Sequence, residues 1–294
     1  MERFNTPLTK EAAKSLLALD LEDKVITSYE KLDEWYTAWG GQCYVSFSGG
    51  KDSTVLAYLA ARYLSSFRTP PWALNLVFVN TGLEYPEIQK FVNEYADWLR
   101  REFARVTVNL HRLRPKMNIR QVVTRYGYPV IGKKQARFIR DLQNAHGQND
   151  ATVNLYLTGY NRQGVYCSTM KLADKWHYLK DAPFHISEQC CDVMKKAPAK
   201  QLEAVSGYVP FTAMMASESQ QREKEWKRTG CMFCAFGAHL EKGENRFERM
   251  KHTHPKHYEF CIGGGAYDPV DGLWKPTEKG LGYARVLDYI GVRY

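Results

Sequence analysis

The stretch that most constrains this chain is YVSFSGGKDSTVLA at residues 44–57, where an apolar run ends at two glycines and a helix-like pattern follows. Glycines let a backbone approach an anion closely, and the free N–H groups of a new helix favour negative charge there. Lys51 adds a positive charge, while Ser48 and Ser53 add hydroxyl groups. The stretch therefore predicts a strand, a phosphate-binding loop and a helix. A plain tight turn with Asp52 or Ser53 as helix cap is the alternative.

The spacing distinguishes this loop from the commonest nucleotide loop. The pattern G-x-x-x-x-G-K-[ST] requires a glycine where Val45 stands and a serine or threonine where Asp52 stands. A carboxylate beside phosphates needs a cation between them, so Asp52 is expected to contact Mg²⁺ or to brace the loop.

The first third of the chain alternates strand-like and helix-like segments, which predicts an α/β fold with a parallel sheet and helices on both faces. Ligands of such sheets bind beyond the carboxyl ends of the strands. Both SGGKDST and the later NTGLEYPE occupy that place. The predicted strands are residues 43–47, 73–81 and 106–110, and the predicted helices are 11–39 (broken), 53–64 and 86–103.

Composition sets the broad class. The chain has 294 residues, 44% of them hydrophobic, and a net charge of +9 that favours an anionic ligand such as a nucleotide or a nucleic acid. We expect a cytoplasmic protein without a membrane span, because no apolar segment is long enough and the N-terminal residues lack a signal sequence. Near residue 185 the composition of the chain becomes richer in Cys, His and Gly. This change predicts a nucleotide-binding domain over 1–185 and a Cys-rich region over 186–294 packed on it.

The loop SGGKDS resembles the pyrophosphate-binding loop of the adenine nucleotide alpha-hydrolase (PP-loop) superfamily, which includes ATP pyrophosphatases and the phosphoadenosine phosphosulfate (PAPS) and adenosine phosphosulfate (APS) reductases. The resemblance implies a Rossmann-like, HUP-type core and a nucleotide cleaved at its α-phosphate. Because the reductases usually carry a degraded loop, the intact loop favours ATP over APS or PAPS. The motif FVNTGLEYPE resembles the relatives' second-strand motif, with Asn80 in place of their common Asp. The implied nucleotide-binding residues are Ser48, Gly49, Gly50, Lys51, Asp52, Ser53, Thr54, Asn80, Thr81 and Gly82.

Seven cysteines, an odd number in a long chain, argue against a disulfide framework. Cys190-Cys191 and Cys231-x-x-Cys234 together offer four thiolates, which suit zinc or an iron–sulfur cluster. Their order resembles the [4Fe–4S] site of assimilatory APS reductases, and adjacent cysteines fit a cubane better than one zinc ion. A buried structural thiol at Cys190 or Cys191 is one alternative. A zinc site is the other, formed by Cys231-x-x-Cys234 with Cys261 or with a histidine among His239, His252, His254 and His257. Outside such a site, Cys261 is expected to be a buried structural thiol.

The segment MMASESQQR resembles a Glu-Ser-x-x-Arg element of the reductases, with Glu218, Ser219 and Arg222 matching. Arg222 would bind a sulfate or α-phosphate oxyanion, and Lys51, Asp52 and Arg222 are the predicted catalytic residues. A helix start is the alternative for this segment. The reductases' C-terminal motif with its nucleophilic cysteine has no counterpart after Cys261.

Three functions follow from these patterns. The first is an ATP-using transferase that moves sulfur to an acceptor such as tRNA or DNA, assisted by the cluster. The second is an APS or PAPS reductase, an oxidoreductase that forms sulfite with an external thiol reductant. The third is a non-catalytic nucleotide-binding interaction protein. A homodimer is compatible with each of them.

Overall fold

The structure is a computed structural model that describes residues 9–67, 73–145, 150–213 and 231–294. The contacts divide the chain into two compact units. This division differs from the predicted boundary at residue 185, which stays a prediction about domains. The first unit comprises Met1–Asn80, Pro86–Leu113 and Ala199–Glu225, and the second comprises Thr81–Tyr85, Arg114–Pro198 and Trp226–Tyr294.

The first unit is built on a four-stranded parallel sheet with helices around it. Its strands are β1 (Cys43–Ser46), β2 (Ala73–Val79), β3 (Thr107–Leu113) and β5 (Val209–Phe211), and its helices are α1 (Lys10–Ala18), α2 (Leu21–Ala38), α3 (Lys51–Phe67) and α4 (Pro86–Glu102). The strand order across the sheet is β3-β2-β1-β5. The predicted Rossmann-like α/β fold is confirmed.

Periodicity explains why these elements form where they do. In α4, the residues Val92, Ala96 and Leu99 recur at helical spacing, and all three are buried in the core of the first unit. In β2, the five central residues are all buried, as expected for a strand that other strands flank on both sides. Each large aliphatic side chain buried in this way contributes about 1.5–3 kcal/mol.

The fourth strand of the sheet was not predicted. The short segment Val209–Phe211 pairs in parallel with β1, so that Cys43 lies opposite Val209 and Val45 opposite Phe211. Pro210 cannot donate a backbone hydrogen bond, and β5 is an edge strand, where proline is tolerated. The first unit is therefore completed by a segment that follows the Cys190-Cys191 pair in the sequence.

The second unit has its own hydrophobic core and two small sheets. The strands are β4 (Val130–Ile131), β6 (Ala235–Phe236), β7 (Gly265–Tyr267) and β8 (Trp274–Pro276), and the helices are α5 (Ile119–Tyr126), α6 (Lys133–Gln143), α7 (Asp150–Thr158), α9 (Arg246–Thr253), α10 (Pro255–Ile262) and α11 (Tyr283–Tyr289). Strand β4 pairs in parallel with β6, with Val130 opposite Ala235, and β7 forms an antiparallel hairpin with β8.

One helix of the chain contains a widened turn. Residues 190 and 191 are helical, Asp192–Lys196 form a π-helical segment, and α8 (Ala197–Ser206) continues from it. Such π segments inside α-helices are rare and are often found at functional sites. Here the segment immediately follows the adjacent cysteines.

Within the described ranges, no helix is both long enough and apolar enough to pass through a membrane.

Candidate functional site

The phosphate loop lies between β1 and α3 of the first unit, at the carboxyl end of β1. Gly49 has a φ of +73°, in the left-handed region that side chains with a Cβ rarely adopt. A Cβ at this position would also lie 3.0 Å from Cγ2 of both Ile88 and Val92 on α4. The position therefore requires glycine for two independent reasons, its backbone conformation and its packing against the neighbouring helix.

Two serines brace this loop from within. The backbone N–H of Ser48 donates to the Ser53 hydroxyl at 3.2 Å, and the two hydroxyl oxygens are 3.1 Å apart. Ser53 in turn donates to the carbonyl of Gly50 at 3.0 Å, and so does the Thr54 hydroxyl, also at 3.0 Å. Ser53 is only 6% exposed, whereas Ser48 is exposed. Of the two predicted phosphate donors, Ser48 is the accessible one, and Ser53 shapes the loop.

The charged residues of the loop face solvent. Lys51 and Asp52 are both exposed and form the first turn of α3, where the helix presents unpaired backbone N–H groups. An acidic side chain in the first turn of a helix interacts favourably with the helix dipole, and an anion at the same end does so as well. The loop thus combines a lysine, free N–H groups and a carboxylate that can hold a cation.

The second predicted nucleotide segment begins where β2 ends. Asn80, the last residue of the first unit before α4, donates from its side chain to Gln89 at 3.2 Å. Thr81 and Gly82 belong to the second unit. There the Glu84 carboxylate accepts from the Thr81 N–H at 2.9 Å and from the Thr81 hydroxyl at 2.8 Å. Glu84, which sequence reasoning did not single out, fixes this turn.

The four predicted metal ligands all lie in the second unit. Cys190 and Cys191 are at the start of the helix that contains the π segment, and Cys190 is 9% exposed. Cys231 and Cys234 form a tight turn before β6, in which the Cys234 N–H donates to the Cys231 carbonyl at 3.1 Å. The N–H of Met232 donates to the carbonyl of Leu83 at 2.9 Å, which attaches the Cys-x-x-Cys turn to the Glu84 turn.

The thiols influence one another electrostatically. Burial, followed by the charges of Cys191, Cys231 and Cys234, raises the pKa of Cys190. Burial also raises the pKa of Cys234 to about 11, although an N–H from Phe236 opposes the shift. The two cysteine segments therefore act on each other electrostatically, and their assignment as ligands of one cluster stays a prediction. The Cys190 thiol donates to the sulfur of Met194 at 3.8 Å.

Lys195 supplies a positive charge that acts on Cys190 and Cys231. Burial opposes its charged form, but its interactions with Cys231, which include a hydrogen bond, and with the Glu84 carboxylate outweigh burial and raise the pKa of Lys195. The same lysine opposes the burial that raises the pKa of Cys231. A cation at this place favours thiolates, which are the form that binds metal.

The residues can be tested for their fit to a cluster. No three His, Cys, Asp or Glu side chains in the described parts of the chain are arranged to hold one metal ion, so both the zinc and the cluster assignments stay predictions. Four cysteine thiols are the residue types that a [4Fe–4S] cluster uses. In addition, the Tyr283 side chain is fully buried, and its hydroxyl has no hydrogen-bond partner within the described residues. The residue types therefore match those of such a cluster, and their assignment as its ligands is a proposal.

The Glu218, Ser219 and Arg222 element lies outside the described residues, so its predicted oxyanion role stays a prediction. Cys261 is fully buried in α10, in agreement with its interpretation as a structural thiol. Sequence reasoning missed Glu84 and Tyr283. For Glu84, the spacing Thr-x-x-Glu was a readable signal of a side chain that closes back on the turn.

Residues 42–145 match the family model of the phosphoadenosine phosphosulfate reductase domain. This part of the chain is similar to that domain. The matched segment runs from the start of β1 to just beyond α6 and includes the whole phosphate loop and the Glu84 turn. The similarity favours a nucleotide-binding protein of the PP-loop type. No curated protein sequence matches the chain.

Proposed function

We propose that this protein binds ATP at the SGGKDS loop and cleaves it at the α-phosphate in a sulfur-transfer reaction. The observation that carries the proposal is the intact loop: Gly49 in the left-handed conformation, the Ser48–Ser53 brace, and Lys51 at the open N-terminus of α3. A loop of this kind suits the β,γ-pyrophosphate of ATP, which a sulfonucleotide lacks.

Each loop residue has a distinct role in this proposal. Lys51 neutralises the pyrophosphate as it leaves, and Asp52 would hold a Mg²⁺ ion, which would supply further positive charge beside the phosphates. The exposed hydroxyl of Ser48 and the N–H groups of the first helical turn donate to the same oxygens. Asn80 and the Gly82 backbone, which has open space beside its Cα, are assigned to the nucleoside end, and Arg222 is assigned to the α-phosphate.

The proposed chemistry has two balanced steps. An acceptor oxygen attacks the α-phosphorus of ATP, the bond to the β-phosphate oxygen breaks, and pyrophosphate leaves, so that the acceptor carries an adenylyl group. A sulfide-level sulfur then attacks the acceptor atom that bears the adenylyl oxygen, and AMP leaves with that oxygen. No net oxidation or reduction occurs, and the proton of the acceptor hydroxyl is released to water.

We assign the four thiolates of Cys190, Cys191, Cys231 and Cys234 as ligands of a [4Fe–4S] cluster. Such a cluster would supply an iron that can bind sulfur or exchange an electron. The chain's own residues would orient it: Lys195 stabilises the Cys231 thiolate, and the N–H of Phe236 stabilises that of Cys234. Zinc is the alternative occupant.

The acceptor is proposed to be a nucleic acid, tRNA or DNA. The net charge of +9 supports a polyanionic partner. In the second unit, Tyr160 and Tyr166 contact each other with ring centroids 5.3 Å apart, are 49% and 54% exposed, and flank a turn that carries Arg162. Exposed aromatic rings beside a cation suit the stacking of unpaired bases.

One experiment separates the candidate reactions. The protein is purified anaerobically, and pyrophosphate release from ATP is compared with sulfite release from APS or PAPS in the presence of a thiol. Pyrophosphate release that depends on added tRNA or DNA supports sulfur transfer. Sulfite release without ATP overturns it in favour of the reductase, the function that the matched family's description favours. Nucleotide binding without either product indicates the non-catalytic alternative.

The loop assignment has its own test. Lys51→Ala removes the charge that faces the pyrophosphate, so we expect at least a tenfold loss of ATP affinity, measured by calorimetry. Lys90→Ala is the matched control, because Lys90 is also an exposed helical lysine of the first unit and forms an ion pair with Glu94 in its own helix. Equal ATP affinities for the Lys51→Ala variant and the wild type would refute the loop assignment.

A further inference from the structure

A short hairpin of the second unit, residues 159–167, presents two tyrosine rings to solvent. Tyr160 and Tyr166 face each other across this tyrosine hairpin as an antiparallel bridge. Their ring centroids are 5.3 Å apart and the ring planes are inclined by 55°, so the two rings do not stack on each other. Both rings are about half exposed. Each ring therefore keeps surface that a flat ligand can cover.

The tyrosine hairpin is shaped by its own polar groups. The side-chain oxygen of Asn161 accepts from the N–H groups of Gln163 at 3.0 Å and Val165 at 2.9 Å. The Asn161 N–H donates to the Val165 carbonyl at 3.0 Å. At the base of the hairpin, a Cβ on Gly159 would lie 2.5 Å from Cε2 of Tyr166, so this ring lies directly against the glycine. A preorganised loop of this kind loses little conformational entropy when it binds a ligand.

Positive charges lie beside the helix from which the tyrosine hairpin starts. Helices α6 and α7 meet through Phe138 and Tyr156, whose rings stack with centroids 4.1 Å apart. The ammonium group of Lys134 lies 5.9 Å from the centre of the Phe138 ring, and the guanidinium group of Arg137 lies 5.5 Å from it. Tyr160 follows Tyr156 by four residues in the chain. The two cations of α6 are therefore held close to the end of α7 that leads into the hairpin.

The segment after the tyrosine hairpin connects it to the same two helices. The N–H of Leu172 donates to the Tyr156 carbonyl of α7 at 2.7 Å. The N–H of Ala173 donates to the side-chain oxygen of Gln135 at 3.0 Å, and Gln135 directly follows Lys134 in α6. The hairpin, α7 and the basic part of α6 are thus joined by hydrogen bonds within one unit.

The cations of this surface are available to a ligand. In the parts of the chain that the structure describes, Lys134, Arg137 and Arg162 form no ion pair with an acidic side chain, whereas Lys171 pairs with Asp174 at 2.8 Å. Positive charge without a carboxylate partner attracts phosphate groups. Aromatic rings beside such charges bind the faces of bases. An unpaired nucleic acid strand offers both groups, whereas the bases of a duplex are stacked on one another.

We propose that the tyrosine hairpin and α6 bind an unpaired nucleic acid strand. One base stacks on Tyr160 and one on Tyr166, and Lys134, Arg137 and Arg162 bind the phosphates. The inference rests on the nucleic-acid acceptor of the proposed function and deepens it, because it requires an acceptor without base pairs and names the residues that hold it. Stacking tolerates every base, so this surface selects the unpaired conformation rather than a sequence.

The test measures oligonucleotide affinity in the absence of ATP. The probes are labelled oligothymidylate and oligouridylate of about twelve nucleotides and a duplex of the same length, followed by fluorescence anisotropy. Tyr160→Ala should weaken the binding of the single strands about tenfold, a loss typical of one stacked base, while Tyr160→Phe keeps the ring and should bind as the wild type does. Tighter binding of one single strand supports the inference and identifies the acceptor as DNA or RNA.

Tyr267→Ala is the matched control for this substitution. Tyr267 is also a half-exposed tyrosine on a hairpin of the second unit, but its ring contacts Trp274 at a centroid distance of 5.3 Å and is covered by the Arg285 guanidinium at 5.0 Å. Its removal should leave the affinity for both strands unchanged. Wild-type affinity in a Tyr160→Ala variant, or equal losses in the two alanine variants, would overturn the inference.

The salt dependence of binding separates the charges from the rings. Lys134→Gln should reduce the slope of log K against log salt concentration by about 0.7, the value for one phosphate contact of a single strand. Tyr160→Ala should leave this slope unchanged, and so should Lys180→Gln, because Lys180 is paired with Asp181. Wild-type protein that binds the duplex as tightly as the single strands would show a purely electrostatic surface and overturn the stacking.

The outcomes also separate this inference from the proposed function. A wild-type protein that binds the strands through Tyr160 but releases no pyrophosphate from ATP overturns the proposed reaction and supports the inference. Strand-dependent pyrophosphate release with an unchanged KM for the strand in Tyr160→Ala overturns the inference alone. A wild-type protein that binds neither strand overturns the inference and the nucleic-acid acceptor together.

Discussion

The backbone N–H of Ser48 donates to the hydroxyl of Ser53 across the two glycines of the phosphate loop, at 3.2 Å. The Ser53 hydroxyl also donates a hydrogen bond to the Gly50 carbonyl at 3.0 Å. One buried side chain therefore forms hydrogen bonds with the backbone at two positions of the turn. The loop's own side chains therefore contribute to its shape.

Ser53→Ala should weaken nucleotide binding without contacting the nucleotide. The substitution leaves the Ser48 N–H without its acceptor, and an unsatisfied donor costs about 1–3 kcal/mol. Because about 1.4 kcal/mol corresponds to a factor of ten, we expect roughly a tenfold weaker ATP affinity by calorimetry. Val55→Ala, on the exposed side of the same helix, is the control and should bind as the wild type does. Wild-type affinity in the Ser53→Ala variant would show that the brace does not shape the site.

Gly49→Ala should destabilise the first unit more than a comparable substitution elsewhere. The φ of +73° costs about 1–2 kcal/mol for a residue with a Cβ, and the two methyl groups at 3.0 Å add overpacking of about 1–3 kcal/mol. Gly40→Ala is the matched control, because Gly40 also has a positive φ, +56°, but no atom lies within 4 Å of its Cβ position. Urea unfolding compares the two variants. Equal losses of stability would show that Ile88 and Val92 accommodate the added methyl group.

Much of the first unit could be predicted from the sequence, because β1, α3, β2, α4 and β3 follow one another with clear periods and short connections. Strand β5 could not be predicted. It has three residues, one of which is a proline, and its partner Cys43 lies 166 positions earlier in the chain. Local pattern carries no information about such a pairing.

The candidate site shows the same limit. The residue types of SGGKDS and the two cysteine pairs are visible in the sequence, but the roles of Ser48 and Ser53 depend on which hydroxyl the folded loop buries. The burial of the Tyr283 hydroxyl without a hydrogen-bond partner among the described residues is likewise a property of three-dimensional packing. The residues that could bind a ligand can be predicted from the sequence, whereas the residues that position them are identified only in the folded structure.

His239 should make the stability of the protein sensitive to mild acid. Its imidazole lies edge-on to Trp176, and its buried Nδ1 has no partner within the described residues. Burial, and then the charge of Lys175, lower the pKa of His239 below its ordinary value of 6.5. The unfolded chain therefore binds a proton first as the pH falls, so the stabilisation is present above pH 6.5 and is lost as the pH falls through the folded-state pKa.

The measurement for His239 is urea unfolding at pH 7.5 and pH 5.5. His239→Phe keeps the aromatic contact but does not titrate, so its stability relative to the wild type should improve between pH 7.5 and pH 5.5. His252→Gln, at an exposed histidine of α9, is the control and should show a much smaller change. If the difference between His239→Phe and the wild type is the same at both pH values, His239 does not contribute to the pH dependence.

Two cysteine substitutions should have opposite effects on bound iron. Cys231→Ala removes a proposed ligand, so the iron content should fall well below the roughly four iron atoms per chain of a [4Fe–4S] cluster. Iron analysis after anaerobic purification measures this content. Cys261→Ala removes a thiol that is more deeply buried than that of Cys231 and belongs to the core of the second unit, where burial raises its pKa well above its ordinary value. This second variant should keep its iron and lose only packing stability, because a neutral buried thiol behaves as a small hydrophobic group. Iron retained by Cys231→Ala would remove that residue from the ligand set, and iron lost from Cys261→Ala would place Cys261 in it.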